Sequence, residues 1–298
     1  MSLVDGCDLA KLVNAYTVER SPKSLKVPQA SKLAAYRDVT VTGTLLPRRI
    51  MEIEADGNTR QAKAPSKTLG DKYAMQADGD VHFGIGCDGD EEHVACEIQK
   101  AKGYWHQKIN ESIGNQVTVA GFFRCLFEHP GFSAGADAHI FEIHPVRAID
   151  FGDGHGLVSL DVEDPEPDSI HKWIDKTKKR DLNKEDAKTA VTYDAGTDEL
   201  TFSGMKGMDL NYVHLRGTVS DIQLNTSTED PATFTFDSPQ ITDYVTVSCL
   251  KATGASFALE GLKNRNKIEM VALRNIDLSE AMNDNYAINL LAISIEKV

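Results

Sequence analysis

The sequence is short of most features that announce a function. No apolar run approaches the ~20 residues of a membrane span, so no membrane contact is expected. The start, MSLVDGCDLAKLVNAY, lacks the basic stretch and apolar core of a secretory leader. The chain therefore reads as cytoplasmic, with a leader removed ahead of Met1 as the alternative. Cysteine is sparse: Cys7, Cys87, Cys96, Cys125 and Cys249, with no Cys-x-x-Cys. That spacing argues against a zinc ribbon or a thioredoxin-type motif. Cys96 and Cys249 sit in apolar strand patterns, HVACEIQ and YVTVSCLK, and read as reduced core residues of a reducing compartment. A hairpin bridge between Cys87 and Cys96 is the alternative. No HExxH occurs, and nothing marks a nucleophile. The stretch GIGCDG does not open a helix and reads as a hairpin turn, not a phosphate loop.

Positive charge is also scarce, with 32 Lys and Arg against 45 Asp and Glu, a net charge of −13. Nucleic-acid binding takes most of its affinity from cations on phosphates. Single-stranded nucleic acid is thus a disfavoured partner, and a protein or a saccharide is favoured.

What is present is an ordinary folded composition, 41% hydrophobic and 26% charged, over 298 residues. That length suits about two domains. A weak internal repeat gives the same number. YRDVTVTGTLL (36–46) matches NYVHLRGTVSDI (211–222), and both reach Gly-Thr, at Gly43–Thr44 and Gly217–Thr218. DGDVHFGIG pairs with PATFTFDS, and EHVACEIQ with DYVTVSCLK. NQVTVAGFFR pairs with NKIEMVALRNI, and AHIFEIHPVRAI with YAINLLAISIEKV. Each half reads as five strands.

Between the third and fourth strands the first half carries QKAKGYWHQKINESIG. There Ala101, Tyr104, Trp105, Ile109 and Ile113 share a helical face, and Gly114 is the stop. The second half has a shorter segment there, with Phe257, Leu259 and Leu262 as its apolar positions.

Five strands with a helix between the third and fourth resemble the OB-fold, a small Greek-key barrel. A glycine near the end of strand one suits the bend of such a strand. The strand FEIHPV is similar to the last strand of small, uncharacterised bacterial OB-like domains, a resemblance that implies a fold and no activity. The expected fold is all-β, with two tandem OB-like five-stranded Greek-key barrels and short helices. Residues 1–35 read as a helix (Leu9, Leu12, Val13, Tyr16) and an extended arm, 36–151 as barrel 1, and 211–298 as barrel 2. Residues 152–210 read as a linker with a hairpin in which Val191, Tyr193, Leu200 and Phe202 alternate with polar positions. That hairpin is either the linker's own structure or a lead into barrel 2.

Two sets of residues carry candidate chemistry. Strand alternation puts Glu142 and His144 on one face, with Phe141 and Ile143 on the other. A turn near Asp88–Asp90 sets His82 opposite Glu97, and OB connectivity brings strand five beside strand three. His82, Glu97, Glu142 and His144 thus form a candidate cluster. Two histidines and a carboxylate suffice for zinc, and a His–carboxylate pair suits proton transfer. The plainer reading is a salt bridge and a hydrogen-bonded histidine on a solvated face. In OB-folds ligands meet strands two and three and the loops after strands one and four. That implies ligand-binding candidates in Arg124, His129 and Phe132 of the 122–138 loop, and in Arg48 and Arg49 of the long loop after strand one. An arginine and an aromatic there suit stacking on a base or sugar.

With no catalytic signature, the expectation is a non-catalytic binding module without a cofactor. A metal-dependent or acid–base enzyme using the His/Glu cluster, with zinc the cofactor to test, is one alternative. A structural oligomer subunit is the other.

Overall fold

The structure is a computed structural model. It describes residues 3–20, 23–46, 50–53, 59–63, 81–89, 92–99, 103–129, 139–160, 162, 189–204, 211–224 and 231–298. The protein is all-β with short helices.

The chain opens with β1 (Leu3–Asp5) and α1 (Gly6–Asn14). Asp5 caps that helix by accepting from the Cys7 and Asp8 amides at 2.9 and 3.1 Å, satisfying two of the amides a helix start leaves over. Its buried face is Leu9, Leu12 and Val13, as the spacing predicts. β2 (Thr17–Arg20), β3 (Lys23–Pro28) and α2 (Ala30–Ala34) follow.

Barrel 1 then begins with β4 (Asp38–Leu46). The long segment after it is not structureless, since β5 (Ile50–Ile53) and β6 (Thr59–Lys63) pair there. Next come β7 (Val81–Gly86), β8 (His93–Ile98), α3 (Gly103–Glu111), β9 (Gln116–His129), β10 (His139–Asp150) and the short β11 (Val158–Ser159). β4 pairs with β7, β7 with β8, β8 with β10 in parallel, β10 with β9, and β9 with β4 again. The five strands come round on themselves.

β12 (Ala190–Asp194) and β13 (Glu199–Ser203) form the hairpin of the middle segment. Val191 pairs with Phe202 and Tyr193 with Leu200, in the phase the alternation predicts. The hairpin leads into neither barrel. β13 pairs with β3, Phe202 opposite Leu25 and Leu200 opposite Val27, giving a four-stranded sheet ordered β12-β13-β3-β2. All four of those apolar side chains are fully buried. The hairpin and the N-terminal arm each bury their apolar row only by pairing with the other.

Barrel 2 is β14 (Tyr212–Gln223), β15 (Ala232–Asp237), β16 (Val245–Cys249), α4 (Gly254–Glu260), β17 (Lys267–Ile276), α5 (Leu278–Ala281) and β18 (Ile288–Lys297). It closes in the order β14-β15-β16-β18-β17, with β16 and β18 parallel. That is the order of barrel 1, strand for strand. Gly43 stands opposite Val117 and Gly217 opposite Ile268, so the two glycines are equivalent. A Cβ on Gly43 would lie 2.8 Å from Ile85 Cγ2, and one on Gly217 2.6 Å from Phe236 Cζ. Both glycines are there because the next strand crosses too close for a side chain.

The helices bury less than their apolar spacing predicts. Ile109 is buried and Trp105 stacks on Phe151 with centroids 6.3 Å apart, but Tyr104 and Phe257 are each 63% exposed. Ile113 lies beyond the end of α3 and is 42% exposed, and Ala101 falls outside the described residues. Positions 105 and 109 are about 40° apart on a helix of 3.6 residues per turn, while 104 is about 100° away from 105. These short helices touch the barrels along one narrow stripe.

Candidate functional site

The chain concentrates its buried charge where the two barrels meet. β9 and β10 bring Arg124 opposite Glu142, and β8 brings Ala95 beside Glu142. On the same outer face His82 stands opposite Glu97, as the turn count predicts. These residues point away from the core of barrel 1, as alternation requires. They do not face solvent. Arg124 and His144 are fully buried, and Glu97 and Glu142 are 5% and 6% exposed. The expected solvated face is covered because Asn211 and Tyr212 of barrel 2, with the Arg274 backbone, pack over it.

Arg124 is the centre. Its Nη1 donates to Glu142 Oε1 at 2.6 Å. Its Nη2 donates to Asn211 Oδ1 at 2.5 Å, and its Nε to the Arg274 carbonyl at 2.7 Å. The planar fork of a guanidinium lets one side chain hold a carboxylate of one barrel and two oxygens of the other. Sequence reading places Arg124 on a ligand loop. The strand in fact runs to His129, and the guanidinium is used within the chain.

His144 Nδ1 lies 3.2 Å from Glu142 Oε1 and 3.3 Å from Glu97 Oε2. With the proton on Nδ1, the Tyr212 hydroxyl donates to His144 Nε2 at 3.1 Å. His82 Nε2 lies 3.3 Å from Glu97 Oε2, and His139 Nε2 lies 3.2 Å from Glu142 Oε2. Both outer histidines have side chains 13% exposed and lead towards the surface. Burial by itself would raise the Glu142 pKa. The Arg124 charge, then His144 and the hydrogen bonds from both histidines, overcome it and hold the carboxyl well below the usual range.

Hydrogen bonds and apolar contacts extend the seam. Asn275 Oδ1 accepts from the Cys125 amide at 2.8 Å, and Asn275 Nδ2 donates to Asn289 Oδ1 at 2.7 Å. Register makes Asn275 the barrel 2 equivalent of Arg124, and each of the two reaches across to the other barrel. Phe122 packs with Tyr212, Leu273, Leu291 and Ile293. Phe127 meets Phe202 edge-on at 4.9 Å and Tyr286 at 6.5 Å, joining barrel 1, the hairpin and barrel 2.

Burial, with the Glu142 charge, pushes the Cys96 thiol well up. Burial likewise raises Cys125, against the lowering effect of Arg124. The thiolate is the reactive form, so neither cysteine is poised. Glu97, Glu142 and His144 present ligand atoms within 4.8 Å of one another, which is compact enough for a metal. Arg124 Nη1 lies beside the same group, 3.1 Å from His144 Nδ1 and 2.6 Å from Glu142 Oε1.

Among the ligand candidates, His129 ends β9 opposite His139. Phe132, Arg48 and Arg49 lie outside the described residues. Sequence reading misses Tyr212, Asn211 and Asn275. The one available signal was phase: Val213 and Leu215 point inward, so Tyr212 points outward like Glu142.

A second face is partly open. In the outward row of β15 and β16, half-buried Thr233 stands opposite buried Ser248, and half-buried Thr235 opposite exposed Thr246. Tyr244, 70% exposed, stands at its rim. Neither strand contains Lys or Arg.

No protein-family model matches the chain, and no curated protein matches it. Among solved structures, the single-stranded DNA binding protein from Thermus aquaticus is similar at TM-score 0.23 and 12% identity. That match covers 88% of this chain and 92% of that one. A deletion mutant of the same protein gives TM-score 0.23 and 11% identity over 88% and 95%. Likeness at that level decides nothing about the ligand.

Proposed function

We propose that the chain is a non-catalytic binding or interaction module, with a saccharide or a protein segment favoured over nucleic acid as its ligand. The observation that carries this is the partly open face of barrel 2, where exposed Thr246 and half-buried Thr233 and Thr235 lie beside an exposed tyrosine with no cation in either strand. Hydroxyls and an aromatic rim suit a neutral, hydrogen-bonding ligand, whereas a nucleic acid needs cations along its backbone. In the same reading the Arg124–Glu142–His144 network is a metal-free lock that fixes the barrels' relative position. One buried guanidinium among carboxylates supplies the counter-charge a metal would otherwise bring.

The test is a glycan array and a peptide array probed with wild type and Tyr244→Ala, beside anisotropy titration of a labelled dT oligonucleotide. The expected result is saturable glycan or peptide binding that the variant loses, with no oligonucleotide binding at physiological salt. Salt-dependent oligonucleotide binding would overturn the ligand class. A stoichiometric metal lost in Glu142→Gln would overturn the lock.

A further inference from the structure

Of the five cysteines, Cys96, Cys125 and Cys249 are fully buried. The other two lie 80 residues apart in sequence and are joined as a disulfide, Cys7–Cys87. Cys87 therefore bonds the N-terminal helix, and not Cys96 across its own hairpin. Both bonded residues are partly exposed, and Cys7 lines a cavity of about 410 Å³ with Leu3, Val4, Thr44 and Asp88.

The bond sits at a particular place in barrel 1. β7 pairs with only the last part of β4, Thr44–Leu46. The earlier part of that edge, Thr40–Thr42, is taken by β1, in parallel. Cys7 follows β1 and Cys87 follows β7, so the bond fastens the two strands that share one edge. β1 has three residues, Leu3 is 66% exposed, and a second cavity of about 410 Å³ lies against the same residues with Tyr36, Arg37 and Asp38. Clefts flank the strand, and of its three side chains Val4 is the one that packs on the core. By contrast α1, just beyond it, is held by Leu9, Leu12 and Val13.

We propose that Cys7–Cys87 is a thiol–disulfide exchange site for a dithiol reductant, and that its reduction unlatches β1 from the edge of β4. The dithiol's thiolate attacks one sulfur. The Cys7–Cys87 bond breaks, a mixed disulfide forms, and the released cysteine thiolate takes a proton. The second thiol then closes a cyclic disulfide and releases the other cysteine, so two electrons pass from the dithiol to the cysteine pair. A bond that cycles is also the kind that a reducing compartment tolerates.

The experiment is native-state alkylation with mass spectrometry, paired with amide exchange, on the full chain before and after dithiothreitol. Reduction should expose Cys7 and Cys87 to alkylation and leave Cys96, Cys125 and Cys249 protected. It should also speed exchange in peptides 3–7 and 38–43 by roughly tenfold or more, with β9 and β17 unchanged. The Cys7→Ser/Cys87→Ser variant should match the reduced wild type without reductant. Five free thiols in protein purified without reductant would overturn the proposal. So would labelling of all five after reduction, or unchanged exchange in those two peptides.

Discussion

Replacing Arg124 with Met keeps the length of the side chain and removes its charge. Three hydrogen bonds go at once, to Glu142, Asn211 and the Arg274 carbonyl. Adding them at about 1.5–3 kcal/mol each would overstate the loss, because such terms are not additive. The governing quantity is the carboxylate left behind, since Glu142 is 6% exposed with Glu97 beside it. Removing one partner of a buried pair costs about 3–5 kcal/mol, which is the expected destabilisation at pH 7. Glu142→Gln in the same background removes the stranded charge, so the double variant should fall short of the summed losses by about 0.5–3 kcal/mol.

The pH dependence has a definite sign. In the wild type the folded pKa of Glu142 lies below the ordinary 4.5, so its contribution is present above that value. It is lost as pH falls through the depressed folded pKa. In the variant burial acts without Arg124, the pKa rises, and protonation relieves the stranded charge. The deficit against wild type should therefore shrink on acidification from pH 7, beginning above pH 4.5. Urea unfolding followed by fluorescence and circular dichroism measures it, with coincident transitions as the two-state check. A loss under about 1 kcal/mol at pH 7, the range of exposed pairs, would refute the reasoning. So would a deficit that grows on acidification.

Three further outcomes are expected. Tyr212→Phe removes the hydroxyl on His144 Nε2 and should cost about 1–3 kcal/mol in urea unfolding, because a buried imidazole nitrogen loses its partner. Gly217→Ala drives a Cβ into Phe236 and the Asp237 carbonyl, so the midpoint should drop by the equivalent of about 1–3 kcal/mol. A neutral result there would mean that β14 and β15 do not cross as described. Phe127→Ala opens the aromatic contact with Phe202 and Tyr286. It should cost about 3–5 kcal/mol and selectively speed amide exchange in residues 190–203.

Features that depend on neighbours along one chain were legible before folding. The phase of alternation told inward from outward at Phe141 against Glu142 and at Val191 against Thr192. The turn count set His82 opposite Glu97, and the shared Gly-Thr at 43 and 217 marked the repeat. These follow because side chains alternate strictly along a strand and because a glycine at a crossing admits no Cβ.

What stands outside a strand's outer face was settled by the packing of distant elements. Alternation says that Glu142, His144 and Arg124 leave the core of barrel 1. It cannot say that Tyr212 and Asn211, some 70 to 90 residues further on, close over them and turn a surface row into a buried network. Cys87 likewise has one neighbour along its hairpin, Cys96, and a different one in space, Cys7. Strand patterns are local and periodic, so sequence carries them. Docking of one barrel on another rests on side chains from distant strands meeting at one place, and no period in the chain records that meeting.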